Sequence, residues 1–311
     1  MDMSAVKEYR DKIVSQCGQV ILGKDEVIER VLISFLCRGH VLLEDLPGTG
    51  KTMLLRSFSR SIGGSFKRIQ FTPDLMPSDL TGIHFFSQKT SEFEFRPGPL
   101  FSDVVLADEI NRATPRTQAA LLESMEEHQI TVDGDTYPLS DSFMVMATQN
   151  PLENFGTFPL PEAQTDRFFM RLSLGYMDRA QELMVLGRKA SVDIINELSA
   201  VVTEEETKKV REMIDEVHVS GTVKSYLMDI IELTRNDPSF KNGVSTRGAI
   251  ALYKASQAKA AFCGRDFVLP EDVKELSVPV LAHRLGQGEK DSLERYLSEK
   301  IGTLEVPVEN N

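Results

Sequence analysis

The chain has 311 residues, room for two domains, and its 41% hydrophobic and 26% charged residues are the balance of a globular protein that builds its core without staples. A formal net charge of −12 disfavours non-specific attraction to nucleic acid or to anionic membranes. Cys17, Cys37 and Cys263 are odd in number and far apart, which argues against a disulfide framework or a zinc cluster and for buried thiols in a reducing compartment.

The first residues, "MDMSAVKEYRDK", are charged and lack an apolar signal core. The most apolar run, "VLISFLCRGHVLLEDL", is broken by Arg38, His40, Glu44 and Asp45, so it cannot cross a bilayer. The expectation is a cytoplasmic protein with no membrane insertion. Up to about residue 175, short apolar runs alternate with helical patterns, which predicts an α/β domain with a parallel five-stranded sheet and flanking helices. The runs are 40–44, 66–71, 103–108, 143–148 and 168–174. Their continuous hydrophobicity is that of strands buried on both faces. A helix is predicted over Gln118–Glu127, with Ala119, Leu122 and Met125, or Ala120, Leu121 and Ser124, recurring at helical spacing.

The strand "HVLLE" runs into "DLPGTGKT", ahead of a helical "MLLRSFSRSI". A phosphate-binding loop needs that context, because its backbone N–H groups and the dipole of the next helix must face the phosphates together. In the segment Pro47, Gly48, Thr49, Gly50, Lys51, Thr52 and Met53, the glycines allow close approach, Lys51 supplies charge, and the Thr52 hydroxyl is a magnesium ligand. Asp45 stands where the motif expects its first glycine. Aspartate tolerates a left-handed backbone, so the turn is expected to survive if the carboxylate points away from the phosphates.

"VVLADEINRA" places Asp108 and Glu109 at the end of an apolar run. Asp108 can hold magnesium and Glu109 can polarise the attacking water, a pair that hydrolysis requires. The same acids could instead simply end a strand and cap a helix. In "FMVMATQNPLENFGTFPLPEAQTDRFFMRL", Asn150 follows the adjacent strand, where it could hold that water, and Arg167 precedes the next strand.

From Tyr176 onward the pattern is helical throughout. Asp178 with Gln181, and Thr203 with Glu206, have capping-box spacing, and Pro270 opens a later helix. The expected organisation is a core over 1–176 and a helical domain over 177–311.

The ordered set GTGKT, LADEINRA, TQNP and PEAQTDRFF, with the helix "TQAALLESMEE", resembles the MoxR branch of AAA+ ATPases. The resemblance is most specific over 40–175. It implies an AAA+ P-loop core with a C-terminal helical lid, ATP and Mg2+ as cofactors, and ATP hydrolysis. Lys51 and Thr52 then match Walker A, Asp108 and Glu109 Walker B, Asn150 sensor 1, and Arg167 the arginine finger that reaches the neighbouring subunit's ATP. Arg247, in "VSTRGAIAL", falls at sensor 2, which would contact the γ-phosphate from the same chain; a helix-surface arginine is the alternative. Ile21, Leu22 and Gly23 match the segment bordering the adenine, or else ordinary core packing.

Two stretches are predicted to be hairpins that decorate the core. "HFFSQKTSEFEFRPGPLF" places Phe93 and Phe95 on one face, and in similar proteins it faces a central pore; "QITVDGDTYPLS" carries an Asp133-Gly134 turn. Arg112 and Arg116 flank the same site, as interface residues or as a solvated helix start. The resemblance implies a homohexamer that remodels a client, with a von Willebrand factor A domain protein as partner. A chelatase-type or nucleic-acid motor is the alternative, with nucleic acid disfavoured by charge. An ATP-gated scaffold is disfavoured by the intact Lys51, Asp108, Glu109 and Arg167, and a GTPase by the lack of an NKxD motif.

Overall fold

A computed structural model describes residues 2–45, 48–149, 156–187, 191–286 and 290–307. Two helices, α1 (Ser4–Gly18) and α2 (Asp25–Leu36), precede β1 (Val41–Glu44), α3 (Lys51–Ser61) and β2 (Phe66–Gln70). The short α4 (Pro77–Thr81) leads into a hairpin of β3 (Gly82–Ser87) and β4 (Glu92–Pro97). Then follow β5 (Val104–Asp108), α5 (Pro115–Glu127), a second hairpin of β6 (Gln129–Val132) and β7 (Asp135–Pro138), and β8 (Met144–Gln149). The short α6 (Glu162–Thr165) and β9 (Met170–Leu172) close this half.

Five strands form one parallel sheet in the order β2-β5-β8-β1-β9. Alternate side chains point to opposite faces, so Val104 and Leu106 join one core while Val105 and Ala107 join another. The central strands β1, β5 and β8 are buried up to their last residues, Glu44, Asp108 and Gln149, which are half-exposed. In an open parallel sheet the carboxyl ends of the strands form the ligand crevice. The strand β2 departs from the expectation of two buried faces. Lying at the sheet edge, it buries Ile69 and exposes Lys67, Arg68 and Gln70.

The buried face of α5 combines parts of both expected patterns: Gln118, Leu121, Leu122 and Met125. Four residues of one α-helical face follow i, i+3, i+4, i+7 rather than any single spacing. In the first hairpin Phe86 opposes Phe93 and His84 opposes Phe95. Phe95 stacks on Tyr137 of the second hairpin at 4.2 Å between ring centroids, which fixes the two hairpins to each other. The other end, with Phe86 and Phe93, is exposed. Asp133 and Gly134 both have positive φ, the two-residue turn that the sequence predicts.

The remaining elements are helices: α7 (Arg179–Leu186), α8 (Ser191–Glu197), α9 (Glu204–Asp215), α10 (Gly221–Asn236), α11 (Thr246–Phe262), α12 (Pro270–Leu281) and α13 (Lys290–Gly302). Both capping boxes form. The Gln181 N–H donates to Asp178 Oδ1 at 2.8 Å and the Glu206 N–H to Thr203 Oγ1 at 3.1 Å. One hydrophobic cluster runs from α1 and α2 through one face of the sheet into α9–α12, so this helical half shares a core with the first. Cys17 is buried as expected, but Cys263 is exposed, because it falls just past the end of α11. No helix among the described residues is long and apolar enough to cross a membrane.

Candidate functional site

The turn after β1 delivers Gly48 and Gly50 with φ of 84° and 94°, a left-handed backbone that glycine adopts without a Cβ clash. With Lys51 opening α3 directly behind them, the loop and the N-terminus of α3 line a cleft of about 400 Å³. Asp45, Gly48, Gly50, Lys51, Thr52 and Met53 form one wall of it, and Arg68, Gln70, Asp108, Glu109 and Thr148 the other. Thr49 belongs to the loop but does not line the cleft. Pro47 and Asn150 lie outside the described residues.

Asp45 keeps its place for a reason other than the one expected. It is not among the residues with positive φ. Its buried carboxylate accepts hydrogen bonds from Ser173 Oγ at 2.7 Å, the Leu174 N–H at 2.7 Å and the Gly175 N–H at 3.0 Å. The side chain therefore turns away from the cleft and ties the phosphate loop to the segment after β9. The Asp45 carbonyl faces the other way and accepts from Lys51 Nζ at 3.1 Å.

Asp108 ends β5 and meets a cation from the edge strand. Arg68 donates to Asp108 Oδ2 from Nε at 3.1 Å and from Nη2 at 2.6 Å, while Thr148 Oγ1 donates to Oδ1 at 2.7 Å. Glu109 has a φ of 57°, a sparsely populated conformation for a non-glycine residue, and such strain is concentrated at functional sites. Its N–H donates to Thr148 Oγ1 at 2.8 Å, and Gln70 Nε2 donates to Glu109 Oε2 at 2.8 Å. Arg112 Nε is 2.8 Å from that oxygen, an ion-pair contact not aligned as a hydrogen bond. Sequence reading missed Arg68, Gln70 and Thr148. The polar face of "FKRIQF" was the available signal for the first two.

Ile21 packs against the loop, its Cδ1 3.7 Å from where a Cβ on Gly50 would stand. Gly23 is exposed, has a φ of 65° and lies beside α7, where a Cβ would come within 1.9 Å of Gln181 Nε2. Leu22 lies between them, half-buried. None of the three lines the phosphate cleft.

Arg167 and Arg247 are brought together elsewhere. Arg167 Nε lies 3.2 Å from Glu126 Oε2, and Arg247 Nη2 pairs with Glu126 Oε1. Both arginines line a second cavity of about 250 Å³ that shares no residue with the phosphate cleft. Arg247 therefore does not reach the phosphate loop of its own chain, contrary to expectation. The reason is a clamp between the helical half and the segment around Arg167. Buried Arg284 donates to Asp166 Oδ1 at 2.8 Å and to the Phe168 carbonyl at 2.6 Å, and Ser245, which caps α11, donates to Asp166 at 3.1 Å. Burial lowers the Arg284 pKa to about 10, with Asp166 opposing the shift. Arg116, exposed at the start of α5, lines neither cavity.

A larger cavity, about 670 Å³, opens between α2 and α9. Its lining mixes Arg38, Lys208, Arg211 and Lys254 with Asp141, Glu204, Glu205, Glu212 and Asp215, and none of the residues of the phosphate cleft. Volume is a poorer guide here than convergent chemistry, and among the described residues the phosphate cleft joins a loop of N–H donors, a lysine and two carboxylates.

A parallel sheet with a phosphate loop after one strand and a pair of acids after another defines a P-loop ATPase. Residues 40–170 match the ATPase family associated with various cellular activities (AAA), and residues 232–300 match the AAA lid domain. The chain is 46% identical to YeaC of Bacillus subtilis, over 96% of this chain and 95% of that one. It is 36% identical to chaperone MoxR1 of Mycobacterium tuberculosis, over 88% and 75% of the two chains. A crystal structure from Cytophaga hutchinsonii superposes with a TM-score of 0.88 at 36% identity, covering 98% of each chain. The chain belongs to the MoxR family of AAA+ ATPases.

Proposed function

We propose that this ATPase works as a closed ring, a homohexamer, in which Arg167 and Arg247 of one subunit complete the phosphate cleft of the next. The ring remodels or activates a client protein in the manner of a chaperone, with a von Willebrand factor A domain protein as partner. One observation carries the ring: the acids with Lys51 and the two arginines lie in separate cavities of the same chain. A head-to-tail contact, repeated until it closes, brings the two together. Beside Gly23, α7 leaves Leu183, Met184 and Leu186 exposed, apolar surface that a neighbouring subunit would cover. The name of the relative MoxR1 supports the chaperone reading, and the exposed Phe86 and Phe93 offer an apolar contact for a protein client. A charge of −12 favours such a client over nucleic acid. The compartment is proposed to be the cytoplasm.

ATP and magnesium fit the donor set. A magnesium ion bound with a nucleotide is held largely by phosphate and water and takes only one or two protein oxygens. Thr52 and Asp108, which both line the cleft, would hold it, the metal taking the place of Arg68 at the Asp108 carboxylate. When bound, the metal would neutralise charge on the phosphates. Lys51 adds charge to the β and γ phosphates. Glu109 accepts a proton from the attacking water, with Asn150 in the role of orienting it. Arg167 and Arg247 of the neighbour stabilise negative charge on the transferring phosphoryl group.

The test is subunit mixing. Arg167→Ala and Glu109→Gln proteins, each nearly inactive alone, should regain part of their ATPase activity as subunits exchange, because some interfaces then unite an intact Glu109 with an intact Arg167. Activity that stays at the weighted mean despite demonstrated exchange, in rings shown to tolerate one dead site, would refute the trans role.

A further inference from the structure

We propose that Glu126 is a positioning residue for ATP hydrolysis, holding Arg167 and Arg247 side by side as one unit directed at the neighbouring subunit. The proposal rests on the ring described above. Its geometry is that of a single carboxylate between two guanidinium groups, with Oε2 taken by Arg167 and Oε1 by Arg247. These groups come from three places far apart in sequence: the end of α5, the segment before β9, and the first turn of α11.

The backbones of both arginines are fixed without Glu126. Asp166 accepts from Arg284 and from Ser245, which anchors the neighbour of Arg167 and the cap of the Arg247 helix on one carboxylate. Their side chains are not fixed by that clamp. Arg38, Arg167, Arg247, Lys254 and Arg284 all line this cavity, and Glu126 is the one acid among its described residues. Without that acid the two guanidiniums would repel each other and separate. Glu126 itself is one residue from the C-terminus of α5, where the helix dipole disfavours a negative charge and the two cations offset that.

Stability does not explain the arrangement. The three side chains are 31%, 46% and 35% exposed for Arg167, Arg247 and Glu126, and ion pairs this open contribute little to folding. Directing two charges at one phosphate does require a fixed geometry, since misplacement of about 1 Å can cost on the order of a hundredfold in rate.

The test compares Glu126→Gln, Glu126→Asp, Arg167→Ala and Arg247→Ala in the full-length ring. Glu126→Gln should lower kcat about tenfold or more. KM for ATP and Tm should stay near wild type, because the phosphate cleft is untouched, and Glu126→Asp should recover part of the loss. On an Arg247→Ala background the same substitution should cost clearly less, since half of what it positions is gone. Wild-type kcat for Glu126→Gln beside an inactive Arg167→Ala would overturn the proposal and leave the ring intact. A rise in kcat would make Glu126 a restraint instead, and a fall in Tm that tracks kcat in both Glu126 variants would make it structural. Full activity of Arg167→Ala would remove the ring reading itself.

Discussion

The two edges of the core are built in opposite ways. At the phosphate edge, Gly48 to Met53 are adjacent in sequence, and Asp108 and Glu109 follow one strand, so most of the site is made of short local stretches. At the arginine edge, Glu126, Arg167 and Arg247 come from distant segments and meet only because the helical half is clamped onto Asp166. The lesson is that nucleotide binding can be written into a local motif. The proposed contribution to another subunit depends instead on how two halves of the chain are held together.

That contrast can be broken by substitutions that separate binding from turnover. The largest effect is expected at the arginine edge. Arg167→Ala should reduce kcat by ~10³-fold while ATP still binds, as loss of a trans arginine does in comparable phosphoryl transfer; calorimetry and steady-state ATPase assays read the two quantities separately. A variant that lost binding too would move Arg167 to the phosphate edge. Glu109→Gln, on the phosphate edge, should lower turnover by ~10²-fold with binding kept. Lost binding would make Glu109 structural.

Lys51→Ala should do the reverse and weaken ATP binding by ~1.5–3 kcal/mol, the worth of a charge-assisted contact. An unchanged Kd would mean that the loop is not the site. Asp45→Asn is expected to cost about 2 kcal/mol of stability, because three donors lose their charged acceptor and the new amide cannot accept from all of them. Denaturant unfolding measures this, and a change within 0.5 kcal/mol, roughly the scatter of neutral surface substitutions, would show that the tie carries no energy.

An effect of similar size that appears only in acid concerns His40, which lies just before β1 and in the lining of the arginine cavity. Its Nε2 faces the Met125 carbonyl at 3.0 Å and its Nδ1 accepts the Val145 N–H at 3.0 Å. Burial pushes its pKa down to about 4 from the ordinary 6.5. Between those values the unfolded chain binds a proton that the folded chain refuses, so stability is complete above about pH 6.5 and falls as pH drops toward 4. By pH 5 the loss from this group is about 2 kcal/mol. His40→Asn should flatten that part of the profile, and an unchanged slope between pH 6.5 and 5 would assign it elsewhere.

Much of the phosphate edge was legible because each inference needed only neighbours in sequence. The capping pairs Asp178/Gln181 and Thr203/Glu206 and the turn at Asp133-Gly134 were legible for the same reason. Asp45 shows the limit. Its position was read from the motif, but its purpose was assigned to backbone conformation, whereas its hydrogen bonds reach residues about 130 positions away. Arg68 and Gln70 were missed because β2 was expected to be buried on both faces. The hydrophobic pattern does not say which strand lies at the edge.

The sequence by itself determined the five-stranded α/β core, the helical second half, the phosphate loop and the acid pair after β5, the third strand of that sheet along the chain. These follow from local periodicity and from motifs whose parts are covalently close, so their geometry varies little once the elements form. Only the tertiary structure decided which edge Arg247 faces, what Asp45 holds, and that one carboxylate, Glu126, joins two arginines 80 residues apart in the chain. Those outcomes depend on the packing of the helical half against the sheet, where Arg284, Ser245 and Asp166 fix the geometry, and a charge pattern read along the chain carries no information about which distant charges that packing will bring together.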